Sequence, residues 1–380
     1  MPILLKYLLL ASVPGLMFCI IPVEGTAFRF SWQMAALWMG AAAFTALLSS
    51  FWFRSFWLCA LLVTVIQAWP PNYEAYLSLL TVAVFLSAVE GFSRIDPRAT
   101  LYAMRLAAFV LLAWMFLQET GLVRSWFPSR NNAGPFNPNT GGVFLALCLP
   151  AFLTSWWWAA APLVVLGIAC TKCTTAMLAA TAAMLTWWFI SQRGPKSALK
   201  SVPFASPAIR KTAVIFVFLA VVMMPVVWFA KIDSLGGIMK ADRWIAWKHA
   251  AMSMQTEMYG RGLGSWREVF PLLASGVPEL NTVVRTQDGR QATEVFMQAH
   301  NEYVQAAFEL GIQTLALIIA YLLTVSGKIY AAKTGATPIP AAGLVALAVS
   351  CGGFFTFHVA PTALLGAAWL GMVEGHFKEA

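Results

Sequence analysis

From residue 4 onward, apolar runs of bilayer length follow one another with few charges between them, and this succession limits the chain more than any single motif. A membrane-crossing helix needs about 20 mostly apolar residues. Such runs fall at roughly 4–22, 32–49, 51–70, 75–93, 99–118, 140–157, 159–171, 173–190, 212–230, 303–325, 339–357 and 359–375. With 60% hydrophobic and 11% charged residues over 380 positions, the chain cannot furnish the polar skin of a soluble globule. The sequence predicts an all-α polytopic membrane protein of about 12 transmembrane helices (range 11–13). The seventh run is short enough to be tilted, broken or re-entrant.

Charge placement gives an orientation. The segment 191–211 carries Arg193, Lys196, Lys200, Arg210 and Lys211 without an acid, which marks it as cytoplasmic. Counting outward puts both termini inside, and Arg54, Arg94, Arg98, Lys328 and Lys333 also fall inside. The predicted organisation is 1–230 with helices 1–9, a long external loop at 231–302, and 303–380 with helices 10–12. The net charge of +9 therefore reads as an orientation signal, not as a nucleic-acid surface. The six cysteines lie in or beside apolar runs and read as packing residues.

The cations left outside are more informative. Lys172 lies between two apolar runs, where it reads equally as a snorkelling helix-end lysine or as a functional group. In the long loop, eight basic residues are balanced by eight acidic ones. Asp242–Met254 predicts an amphipathic helix with Trp244, Trp247, Ala251 and Met254 on its apolar stripe. A turn with Arg261 and Arg267, Tyr259-Gly-Arg-Gly-Leu-Gly-Ser-Trp-Arg267, comes next, and 271–293 reads as irregular. The loop runs into His300-Asn-Glu-Tyr, after which Asn301, Gln305 and Glu309 form a polar line at four-residue steps. His300 stands at the mouth of that line, beside external arginines, as a candidate general base. His249, His358 and His376 have no comparable sequence setting and read as structural.

Three segments resemble the O-antigen ligase/polymerase superfamily of bacterial envelope glycan enzymes. They are Gly134-Pro-Phe-Asn-Pro-Asn139, Arg243-Trp-x-x-Trp247 followed by Gly262-Leu-Gly264, and His300-Asn-x-Tyr303-x5-Glu309-x-Gly311. The resemblance implies metal-independent, inverting glycosyl transfer, with no cofactor, on the periplasmic face of the bacterial inner membrane. A polyprenyl (undecaprenyl) pyrophosphate-linked glycan would be the donor, and a sugar hydroxyl, on lipid A-core in a ligase, the acceptor. Membrane lipids are implied as partners and nucleic acid is not. By the same resemblance His300 activates the acceptor and Arg243 binds pyrophosphate, with Arg267 or else Arg261 as the second arginine. Asn137, Asn139, Asn301, Tyr303 and Glu309 belong to the matching motifs as supporting residues. Where a serine–arginine pair is common in the family, this chain has Lys172-Cys173-Thr174, a cation without the bidentate fork. A polymerase and a protein O-oligosaccharyltransferase share these motifs. From another class, a lipid-linked glycan flippase would have the same span count.

Overall fold

The computed structural model describes residues 3–15, 20–23, 26–30, 85–123, 134, 136–193, 242–280, 283–285, 291–293, 299–331, 338–354 and 356–379. Within them the protein is predominantly helical, as expected, with two small antiparallel β pairs. Helix α1 (Ile3–Gly15) is followed by β1 (Ile20–Val23) and β2 (Thr26–Phe30). Of the first apolar run, Ile3–Gly15 is helical and Ile20–Val23 is a strand, and the residues between lie outside those described. After helical residues 85–92 come α2 (Pro97–Glu119), α3 (Pro138–Cys148), α4 (Ala161–Thr171) and α5 (Thr174–Arg193). The loop region supplies α6 (Asp242–Met254), α7 (Ser265–Ser275), β3 (Val283–Arg285) and β4 (Gln291–Thr293). The chain then forms α8 (Glu302–Leu310), α9 (Ile312–Ala331), α10 (Pro338–Cys351) and α11 (Ala360–Glu379).

Among the described residues, Pro97–Glu119 and Thr174–Ser191 are long and apolar enough to cross a bilayer, and 138–152, 157–171, 312–325 and 338–351 are shorter apolar helices. The runs at 32–49, 51–70 and 212–230, and most of the basic segment 191–211, lie outside the described residues.

The core is built around α3. Asn137 caps it by accepting from the Thr140 amide at 2.9 Å, with Pro138 in the first turn. Every residue from Thr140 to Phe152 is buried, as befits a helix that is apolar all round. Lipid is as apolar as leucine, so helices in a bilayer associate through close packing of small residues. A Cβ on Gly142 would stand 2.5 Å from the Thr171 hydroxyl oxygen and 2.9 Å from Cys173 Cβ. Gly343 lies flat on the Trp369 ring, whose indole N–H donates to the Leu147 carbonyl at 2.9 Å. A buried arginine in α2, Arg105, donates to the Ala151 carbonyl at 2.8 Å and to the Thr154 hydroxyl, and its guanidinium lies 4.9 Å from the Trp157 ring centre. Its charge is engaged in closing the end of the neighbouring helix.

The short seventh run, 159–171, contains the unbroken helix α4 and stops at Lys172. Lys172 takes a left-handed conformation (φ 52°) that stops α4, and α5 starts two residues later. From that junction α5 packs along α10, where the Thr175 hydroxyl donates to the Gly353 carbonyl at 3.1 Å.

Three expectations for the loop need correction. First, α6 has the predicted limits, and Met254 and Trp247 of the predicted stripe are half-buried, but the burial centres on the neighbouring alanines. Ala246 and Ala250 are fully buried against α7 and α8, whereas Trp244 is 46% exposed and Ala251 is exposed. Alanines let the helices approach closely, which the bulkier tryptophan stripe would prevent. Second, 271–293 is not wholly irregular, because α7 continues through Pro271 to Ser275 and Val283–Arg285 pairs with Gln291–Thr293. Third, the run 303–325 is two helices, divided at Gly311 (φ 87°).

Candidate active site

The turn after α6 is built to wrap the end of α8. Gly260, Gly262 and Gly264 all have positive φ (87°, 97° and 81°), which side chains disfavour. Arg261 N donates to the Phe308 carbonyl at 3.2 Å, and Gly262 N to the Glu309 carbonyl at 2.8 Å. The Ile312 amide donates to the Met258 carbonyl at 3.1 Å. The Glu309 carboxylate fastens the next stretch by accepting from Gly264 N at 2.8 Å and Trp266 N at 3.3 Å. It accepts as well from Gln305 Nε2 at 3.0 Å. Below it, Trp266 stacks on Phe270 at 4.2 Å and meets Phe308 edge-on at 5.1 Å. The polar line expected on this helix is therefore buried and internally satisfied: Gln305 and Glu309 hold the loop in place, and Asn301 caps α8 through the amides of Tyr303 and Val304.

His300 is presented by the peptide just before that cap. Trp247 Nε1 donates to the Ala299 carbonyl at 2.6 Å, and Ala299 N donates to Gln305 Oε1 at 3.2 Å. Thus α6 and α8 grip the residue that precedes the histidine. His300 itself adopts φ 54°, a conformation uncommon for a side-chain-bearing residue and costing about 1–3 kcal/mol. The imidazole is half-buried, and burial, reinforced by the Arg243 guanidinium, pulls its pKa down to about 4. It is neutral at physiological pH and therefore able to accept a proton.

Arg243 is exposed on the first turn of α6, within electrostatic range of both His300 and Cys173. The break after α4 and the start of α8 therefore share one end of the bundle, and Lys172 is exposed at that break. Arg261 is only 16% exposed; it pairs with Glu257 at 3.1 Å and lies 5.3 Å from the Phe308 ring centre. Arg267 is exposed on the first turn of α7. Tyr303 donates its hydroxyl to the Ala348 carbonyl at 2.7 Å, tying α8 to α10. Asn137 is occupied as a cap, and Asn139 is half-buried in α3.

Sequence reasoning missed a pair at the same place. His358 Nδ1 stands 3.2 Å from the Glu302 carboxylate, whose oxygen also accepts from Phe357 N at 2.6 Å. His358 Nε2 faces Gln305 Nε2 at 3.1 Å. Burial opposes charging of this imidazole, but Glu302 and Glu309 together outweigh it and raise the pKa above its ordinary value. The partners are 56 residues apart, so no local spacing announces them.

Residues 158–319 match the family described as O-antigen ligase. The matched region runs from α4 to the middle of α9 and includes Lys172, Arg243, Arg261, Arg267, His300 and Glu309. The O-antigen ligase resemblance drawn from the motifs is thereby supported over that part of the chain. Asn137, Asn139 and His358 lie outside the matched region. No curated protein matches the chain.

Proposed function

We infer that the protein transfers a glycan from a polyprenyl pyrophosphate to an acceptor sugar hydroxyl, in the manner of an O-antigen ligase with lipid A-core as acceptor. The observation that carries this reading is the neutral, half-buried His300 beside Arg243. The acceptor oxygen attacks the anomeric carbon while its proton passes to the His300 imidazole. The bond from the anomeric carbon to the phosphate oxygen breaks, and its electron pair leaves on the polyprenyl pyrophosphate. Direct displacement inverts the anomeric centre. Guanidinium groups neutralise the charge developing on pyrophosphate, so the step is metal-independent and calls on no cofactor. Arg243 holds one phosphate. Arg267, exposed on the first turn of α7, or else Arg261 supplies the second fork. Lys172 adds a point charge at the same end of the bundle. In this reading the bundle has about 12 spans in the bacterial inner membrane, with both termini cytoplasmic and 231–302 periplasmic.

The test is transfer in vitro from a lipid-linked glycan to two acceptors, lipid A-core and a second lipid-linked repeat. Labelling of lipid A-core identifies a ligase, and extension of the repeat a polymerase. His300→Ala and Arg243→Ala abolish transfer while membrane insertion is retained. Full activity in both variants, or solute counterflow in proteoliposomes without sugar transfer, would overturn the proposal.

A further inference from the structure

His358 lies in the short turn Thr356–His358 between α10 and α11, with 30% of its side chain open to solvent. Its two ring nitrogens meet different demands. Glu302 accepts from a protonated Nδ1 at 3.2 Å. Gln305 needs an acceptor at Nε2, because its amide nitrogen faces the ring at 3.1 Å and its amide oxygen is taken by Ala299 N at 3.2 Å. The Gln305 amide cannot simply be reversed. Its nitrogen also donates to Glu309 Oε1 at 3.0 Å, so reversal would set oxygen against carboxylate and nitrogen against the Ala299 N–H. The pattern is satisfied in full by one state of His358: neutral, with its proton on Nδ1. A second proton on the ring places donor against donor at Gln305, the side chain that anchors the residue before His300.

We propose that His358 is a positioning residue of the transfer site, holding Gln305, and through it the Ala299–His300 peptide, in working geometry only while its Nε2 is unprotonated. The proposal rests on the function inferred above. Among the described residues, the titratable groups facing the His358–Glu302 pair are Tyr303 and Glu309 on α8 and Cys351 on α10. Protonation at His358 and at His300 is separable, because His300 does not charge until about pH 4 and His358 charges above the ordinary histidine value.

Two measurements test this. In the transfer assay, kcat/KM of the full-length protein falls with acid in two steps, one above pH 6.5 and one near pH 4. His358→Gln, which keeps an acceptor oxygen toward Gln305 but cannot charge, removes the first step and holds the rate at its alkaline level. His358→Ala lowers kcat about ten- to hundredfold with KM little changed. An unaltered first step in His358→Gln, or wild-type kcat in His358→Ala, would overturn the role. The second measurement needs no activity: imidazole NMR of the four histidines in nanodiscs. The His300 signal shifts in step with titration of His358 and stops doing so in His358→Gln. A His300 signal indifferent to that titration would refute the coupling. Absence of transfer by the wild type would instead refute the function, leaving the NMR result to judge the coupling alone.

Discussion

Glu309 is the peg on which the arginine-bearing turn hangs, and removing its acceptor oxygens has a calculable cost. Its Oε2 accepts from Gly264 N, and its Oε1 from Trp266 N and Gln305 Nε2. Three donors converge on this one carboxyl group, and its acceptor-only ionised form satisfies all three. In Glu309→Ala two backbone N–H groups are left in a buried site without an acceptor, at about 1–3 kcal/mol each. The expected loss is therefore about 2–6 kcal/mol, concentrated on residues 255–275 rather than spread over the helices. Glu309→Gln is milder. With its oxygen toward Trp266 and Gln305 it sets an NH2 against the Gly264 N–H; reversed, it fails the other two donors. One orphaned donor costs about 1–3 kcal/mol. Limited proteolysis of the purified protein reads the effect directly: cleavage within the Gly260–Gly264 turn accelerates in the order wild type, Gln, Ala. Transfer falls in the same order, because Arg267 and the His300 peptide both depend on this turn. Equal protection of Glu309→Gln and wild type would refute the reasoning, since it would mean that the carboxyl group is protonated and its ionised form holds nothing.

Gly260→Ala is strongly destabilising, because φ is +87° and the new Cβ would lie 2.5 Å from the Glu309 carbonyl oxygen; Gly276→Ala, with its nearest neighbour 3.8 Å away, is near neutral in the same thermal scan. Arg261→Ala lowers stability through loss of the Glu257 and Phe308 contacts, and Arg267→Ala raises KM for the lipid-linked donor. The His300 pKa of about 4 lies below its unfolded value of about 6.5, so the unfolded chain takes the proton first as pH falls. Stability contributed by the neutral ring is present above pH 6.5, declines as pH falls toward 4 and is lost below it; the change is about 3 kcal/mol at most and smaller for the solvent-screened ring. Urea titrations at pH 7 and pH 4.5 on wild type and His300→Gln measure it. Arg243→Gln moves the NMR titration of His300 upward, and an unchanged titration would dissociate the two residues.

Some of this was legible in the residues alone. Asp242–Met254 is helical with the limits its pattern predicts, and the His300–Gly311 motif resembles the family later matched over 158–319. The misreadings have a common origin. Periodicity showed that α6 is amphipathic, but tryptophans weighted the choice of face, and the small alanines won because neighbouring helices come close. The run 303–325 has a continuous apolar composition, yet Gly311 breaks it so that the chain can receive the glycine turn. Asn301, Gln305 and Glu309 looked like a line of groups open to substrate, and they are instead taken up by the capped amides of α8, the Ala299 amide and the Gly264–Trp266 backbone.

Sequence by itself determined what kind of molecule this is, because a shortage of charge and runs of bilayer length are properties of the chain before it folds. It also offered His300 as a candidate base from its place above a polar helix face, while Arg243 was marked by the family resemblance. Only the tertiary structure decided which arginine is already spoken for by Glu257, which nitrogen of His358 must stay bare, and that Glu302 and Gln305 join that histidine to the His300 peptide. These facts depend on contacts between segments tens of residues apart, and hydrogen-bond direction at such contacts is fixed by packing rather than by spacing.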